Sequence, residues 1–241
     1  MKRLIAVAIT VTMLVLVTGC GTTAKFIYPA KMSSLAQLAS APVYNKSVAI
    51  LPFEDYRDDD NSNMAAMYLI PLMPFGWETY DRPDAASTFL SVASYDVTPS
   101  EDLAKATAVS FRRSNLFKNA FFTFGGERDR ADFVLRGRIK IMRYKGKVFT
   151  YGLSLFGPWL WAFGAPAGSS TNQLAIELSM TNKKGEVVWD WSMDKSDWIT
   201  QWIYARMGSD CKMFTYMMQD GMNDAVADLA KKMRERPDLF K

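Results

Sequence analysis

The sequence predicts an α+β domain: a mainly antiparallel sheet with two helices packed on one face and two apolar loop insertions. Three observations carry this reading. Residues 131–147, 173–181 and 186–193 alternate apolar and polar side chains, the period of strands with one buried face. Residues 98–114 and 209–234 repeat apolar side chains at three- and four-residue steps, as amphipathic helices do. Residues 64–77 and 151–168 carry no charge and are broken by proline and glycine, so neither can be one continuous helix.

Taken in order, the chain begins with Lys2 and Arg3 followed by an uncharged apolar run over residues 4–17. This is the pattern of a secretory signal, too short to span a bilayer. Leu16-Val17-Thr18-Gly19-Cys20 resembles the bacterial lipobox. The resemblance implies that Cys20 is acylated, with palmitate-type chains, and becomes the first residue of the mature protein. Gly21, where an Asp would resemble an inner-membrane retention signal, implies anchoring at the periplasmic face of the outer membrane. Residues 1–19 are thus expected to be a signal peptide, 20–45 a lipidated tether rich in Thr, Ala, Ser and Lys, and 46–236 a single periplasmic domain.

Lys46-Ser-Val-Ala-Ile-Leu-Pro-Phe-Glu54 is too continuously apolar for an edge strand and too short for a helix, so it is expected to be a buried central strand. Val48 to Asp55 resembles the first strand of the periplasmic α/β domains of the curli secretion lipoprotein, the Tol protein's amino-terminal domain and the lipoprotein activators of peptidoglycan synthases. That resemblance implies a fold rather than an activity. Residues 56–63 include Asp58, Asp59 and Asp60, but a calcium loop needs glycine at its sixth position and glutamate at its twelfth, where Asn63 and Leu69 stand. A solvated acidic loop is expected instead.

Thr98-Pro99-Ser100-Glu101 starts a helix, with Thr98 as cap, Pro99 in the first turn and Glu101 closing a capping box. A short strand follows at residues 120–124, closed by Gly125-Gly126. In the next strand Phe133, Leu135, Ile139 and Ile141 are expected to point inward and Arg136, Arg138 and Lys140 outward. Leu174, Ile176, Leu178 and Met180 point inward from its partner. Asn182-Lys183-Lys184-Gly185 turns the chain into a strand whose Val187, Trp189, Trp191 and Met193 share a face. The last helix buries Phe214, Met217, Met218, Met222, Val226 and Leu229, and Pro237 ends it.

Composition excludes several chemistries. The chain of 241 residues has no histidine and two cysteines, which removes Ser-His-Asp, Cys-His and histidine-zinc sites. Its formal charge of +4 falls further once Lys2 and Arg3 leave with the signal, so no nucleic acid is expected. No metal or cofactor is expected either. Paired carboxylates such as Glu54 with Asp55, or Asp190 with Asp194, are present without anything that selects them. Cys211 reads as a small buried residue.

The two insertions hold the candidate contact residues: Tyr68 and Trp77 in the first, Phe156, Trp159, Trp161 and Phe163 in the second. They can pack against each other, enter a lipid interface where tryptophan is favoured, or meet a protein. In the curli secretion lipoprotein, hairpins leaving a similar sheet build an oligomeric channel, which implies an alternative role as an oligomeric secretion or transport component. Residues 151–168 lack the polar-apolar alternation of channel strands. The leading expectation is a non-enzymatic, lipid-anchored envelope module that binds a protein partner or itself. Replacing Cys20→Ser should leave an uncleaved or mislocalised precursor and abolish labelling by a fatty-acid analogue; retained labelling would rule the lipobox out.

Overall fold

The computed structural model describes residues 23–85 and 94–240; the signal segment, Cys20 and Gly21 lie outside the described residues. The fold is α+β. One mixed sheet of eight strands holds β2 (Tyr44–Ile50), β3 (Glu54–Asp55), β4 (Asn61–Met64), β5 (Phe75–Tyr80), β7 (Phe117–Phe122), β8 (Phe133–Phe149), β9 (Gly168–Asn182) and β10 (Val187–Gln201). Its main order is β10-β9-β8-β2-β7. The long β8-β9-β10 pairs are antiparallel, while β2 is parallel to both its neighbours, β7 and β8. The central-strand reading of residues 46–54 therefore holds: Val48, Ala49 and Ile50 are completely buried. A separate two-stranded ribbon pairs β1 (Thr23–Lys25) in parallel with β6 (Ser94–Asp96).

Helices α1 (Pro99–Ser114) and α3 (Lys212–Glu235) pack on the sheet and on each other. A short helix, α2 (Gly157–Ala162), lies within the second insertion. The cap of α1 differs from expectation. The Thr98 side chain makes no capping bond; instead the Thr98 backbone N–H donates to the Asp102 carboxylate at 2.7 Å, while Glu101 accepts from Lys105. Both acids still sit in the first turn, where the helix dipole favours them. Asn115, at φ 57°, ends α1 in the left-handed conformation.

Two β-bulges correct the expected strand faces. Lys140 has no partner between Ile139 and Ile141 in the β8-β9 ladder, so the inward side changes from odd to even residues. Ile141 turns away, and Met142 and Tyr144 take the buried positions. A second irregularity between Val187 and Trp189 turns Val187 out to 57% exposure while Val188 and Trp189 are buried.

Residues 23–45 are a strap, not a free tether. Leu35 is buried, and Tyr28 and Ser110 share a hydrogen bond between their hydroxyls. Two side-chain amides of α3 clamp the strap's backbone. Gln219 accepts from the Lys31 N–H at 3.0 Å and donates to the Lys31 carbonyl; Asn223 accepts from the Ala36 N–H and donates to the Ser34 carbonyl, both at 2.8 Å. Composition suggested a linker because this binding uses backbone groups, which leave no apolar periodicity in the sequence.

Phe133, Leu135, Leu174, Ile176, Leu178, Met217, Met222 and Leu229 all lie in one core between sheet and helices. Replacing Leu178→Asp would place an unpaired carboxylate at a site only 2% exposed. It should cost several kcal/mol of a total of about 5–15 kcal/mol, read as loss of a cooperative thermal transition.

Candidate functional site

The two insertions do pack together, at the end of the sheet to which β8 runs. β5 pairs antiparallel with the last residues of β8, from Tyr80 opposite Tyr144 to Phe75 opposite Phe149, and this brings residues 65–74 beside 150–157. The Pro74 carbonyl accepts from the N–H groups of both Thr150 and Tyr151 at 2.9 Å, and the Leu72 N–H donates to the Gly152 carbonyl at 3.0 Å. Thr150 Oγ1 donates to the Met73 carbonyl at 3.1 Å. Trp161 Nε1 donates to the Phe149 carbonyl at 2.8 Å, and Tyr151 OH to the Pro166 carbonyl at 2.7 Å. Backbone comes close enough here to require glycine: a Cβ at Gly76 would stand 1.9 Å from the Ala65 carbonyl oxygen, and one at Gly157 2.5 Å from Thr150 Cα. A third segment joins the lobe, since Tyr204 OH donates to the Ala162 carbonyl at 3.0 Å.

This lobe leaves large apolar side chains in solvent. Leu72 is 89% exposed, Phe163 84%, Phe156 71%, Leu155 64% and Trp159 62%. Of the expected contact residues, Phe156, Trp159 and Phe163 are therefore surface groups, whereas Trp161, Tyr68 and Trp77 are half-buried. Trp161 is held inward by its bond to the Phe149 carbonyl. Leu72 and Leu155 are the exposed residues that reading for aromatics passed over. Neither insertion forms a long hairpin: residues 65–69 and 154–156 are 3-10 turns and residues 157–162 are α2.

Backbone strain concentrates in the same place. Among the described residues five non-glycine positions have positive φ, and four of them, Leu72 (70°), Tyr151 (59°), Ser154 (51°) and Arg206 (63°), belong to the lobe's three segments. Such conformations cost about 1–3 kcal/mol each and persist where surrounding structure holds them.

The root of the lobe is polar and closed. Asp210, fully buried, accepts from Tyr144 OH at 2.9 Å and Gln201 Nε2 at 3.0 Å, and its carbonyl accepts from Asn172 Nδ2 at 2.8 Å. Tyr80, whose ring lies 6.2 Å from that of Tyr144, donates to Glu78 at 3.1 Å. Burial, with the charges of Asp210 and Glu78 behind it, pushes the Cys211 thiol far up, so Cys211 is an inert packing residue. The start of the first insertion is tied by buried Arg57, which donates to Asp55 at 2.9 Å and Asp84 at 2.6 Å. Arg82 also donates to Asp55, and Arg143 to Asp81.

The outer face of the sheet carries a groove of about 850 Å³, lined by Glu54, Arg136, Arg138, Glu177 and Asp190 and reaching Asp228 of α3 at the β10 edge. Its charges largely answer one another: Arg138 lies 3.3 Å from Glu54 and 4.0 Å from Glu177. Asp228 accepts from Trp189 Nε1. Glu54 and Asp55, side by side in sequence, are claimed by different arginines. Among the described residues no group of three or more acidic or cysteine side chains could hold a metal, and no helix is long and apolar enough to cross a membrane.

No family model and no curated protein matches the chain. Among solved structures it is similar to a protein of the DUF330 family from Xanthomonas campestris, at 7% identity and a TM-score of 0.49, over 90% of this chain and 99% of that one.

The arginine network has a pH dependence with a defined sign. Hydrogen bonds from Arg57 hold the Asp55 carboxyl below its ordinary value of 3.8. Its contribution is therefore complete above about pH 4 and is lost as pH falls through the lowered value. Urea unfolding should show a midpoint that drops on acidification below pH 4. Asp55→Asn should lower the midpoint at pH 7 by the equivalent of about 1–3 kcal/mol and lose less on acidification than the parent.

Proposed function

We propose that the chain is a lipid-anchored envelope protein, held through Cys20 at the periplasmic face of the outer membrane, that acts as a non-enzymatic binding module through its apolar lobe. The observation that carries the reading is the lobe itself. Five large apolar side chains stand more than 60% exposed on a scaffold whose internal polar groups are bonded to one another. Soluble proteins rarely leave so much contiguous apolar surface facing water without a partner.

The course of the strap supports a shared orientation for anchor and lobe. β1 pairs with β6 just ahead of α1. The strap then passes Ser110 and Ser114, running with α1 toward its C-terminus and away from the lobe. Thr23 therefore lies at the end of the strap nearer the lobe. Cys20 stands three positions before Thr23, a span of about 10 Å when extended. A lipid there would hold the lobe near the bilayer and give even weak contacts a high effective concentration. The module reading also draws on the absence of histidine and on the burial of Cys211 and Asp210 within the lobe's root.

A photo-crosslinking amino acid at position 156 or 163 of the intact lipoprotein should give an adduct with lipid or protein in envelopes, and one at Ser179, toward the other end of the sheet opposite Arg136, should not. The triple substitution Phe156→Ser, Trp159→Ser and Phe163→Ser should leave the thermal transition within a few degrees of the parent. Collapse of the fold in that variant, or equal adducts at all three positions, would overturn the reading.

A further inference from the structure

We infer that the lobe's counterpart is a bilayer surface carrying anionic phosphate headgroups, with Lys145, Lys147 and Arg206 as the cations that meet them. This rests on the lobe being a contact surface and adds what it contacts. All three cations are exposed, and none makes an ion pair among the described residues, whereas Arg138 and Arg143 farther down β8 are paired with carboxylates. Lys147 lies over the Phe75 ring at 4.7 Å and lines one small cavity with Trp161 and Met207, which places that lysine directly against the lobe's apolar side chains. Acidic groups are scarce at this end, the nearest exposed cluster, Asp58 to Asp60, lying beside Arg143 two residues down β8 from Lys145. Residues 145–176 and 198–209 contain none, Glu78 is buried and bonded to Tyr80, and Asp197 stands behind the lobe, opposite Asn172.

A protein groove would cover the apolar tip but gives no reason for a one-signed, unpaired collar beside it. A lipid interface accounts for both. Apolar and tryptophan side chains sit at the boundary between headgroup and acyl chain, and lysines behind them stay among the phosphates, their aliphatic stems along the apolar surface. The lobe also meets the main requirement for entering that boundary, because its backbone turns are closed by internal hydrogen bonds.

The test uses a chain beginning at Gly21, which keeps every described contact and lacks the acylated cysteine. It should cosediment with vesicles of mixed phosphatidylglycerol and phosphatidylcholine, much less with phosphatidylcholine alone, and less as salt is raised. At about fivefold per cation, Lys145→Gln with Lys147→Gln should weaken binding about 20- to 30-fold, whereas the control pair Lys231→Gln with Lys232→Gln, on α3, should leave it unchanged. Phe156→Ser with Trp159→Ser should weaken it with both lipids. Equal binding to both vesicles, or equal loss in the two lysine pairs, overturns the assignment of anionic headgroups while the lobe remains a contact surface. No vesicle binding, together with protein adducts at positions 156 and 163, overturns the bilayer in favour of a protein. No vesicle binding and no adduct at either position removes the lobe reading as well.

Discussion

Seventeen consecutive residues of β8 carry hydrogen-bond ladders to four other strands, and the rest of the molecule depends on that strand being continuous. One edge of β8 is taken along its whole length by β9. The other is shared in turn by β2, β3 and β5. A strand of this length extends about 55 Å at 3.3 Å per residue, so its two ends live in different surroundings. Near Phe133 it lies in the core beneath the helices, against Phe117 and Phe240; at Phe149 it is the foundation of the lobe. The bulge at Lys140 reconciles the two halves. It turns Met142 and Tyr144 inward where the register of Phe133, Leu135 and Ile139 would have sent them out.

Between core and lobe the interior changes character. Under the helices it is aliphatic, sulfur-rich and aromatic; at the lobe's root it is a set of bonded polar groups around Asp210, Tyr144, Gln201 and Asn172. Irregular backbone meets the sheet at this level, and buried main-chain groups there must find side-chain partners because the ladder has ended. The arginine network around Asp55 does the same for the first insertion. Both are polar fastenings beneath an apolar tip, and breaking one strands a buried charge rather than opening a cavity.

The lobe leaves Leu72, Leu155, Phe156, Trp159 and Phe163 in solvent. Leu72, with φ in the left-handed region and its side chain in water, carries backbone strain without gaining the stabilisation of burial. Four strained positions around one tip are hard to explain as packing. Backbone conformation, rather than side-chain burial, sets where each of these residues points.

Much of the architecture was legible in the chain. Period-two alternation marked β8, β9 and β10 because one face of each is buried and the other is wet. Three- and four-residue spacing marked α1 and α3, and the charge-free runs marked the insertions that became the lobe. What escaped was whatever rests on backbone geometry. A bulge leaves no trace in composition, so Ile141 and Val187 were assigned to the wrong faces. A strap held by Gln219 and Asn223 through its own peptide groups reads as a linker, since peptide groups are the same in every residue. Residue type alone determined that histidine chemistry is absent and that two uncharged, Pro- and Gly-broken segments interrupt the sheet. Which members of those segments face water was decided only by tertiary structure: of two chemically identical residues two positions apart, Trp161 turns in, its indole N–H held by the Phe149 carbonyl, and Trp159 turns out to 62% exposure.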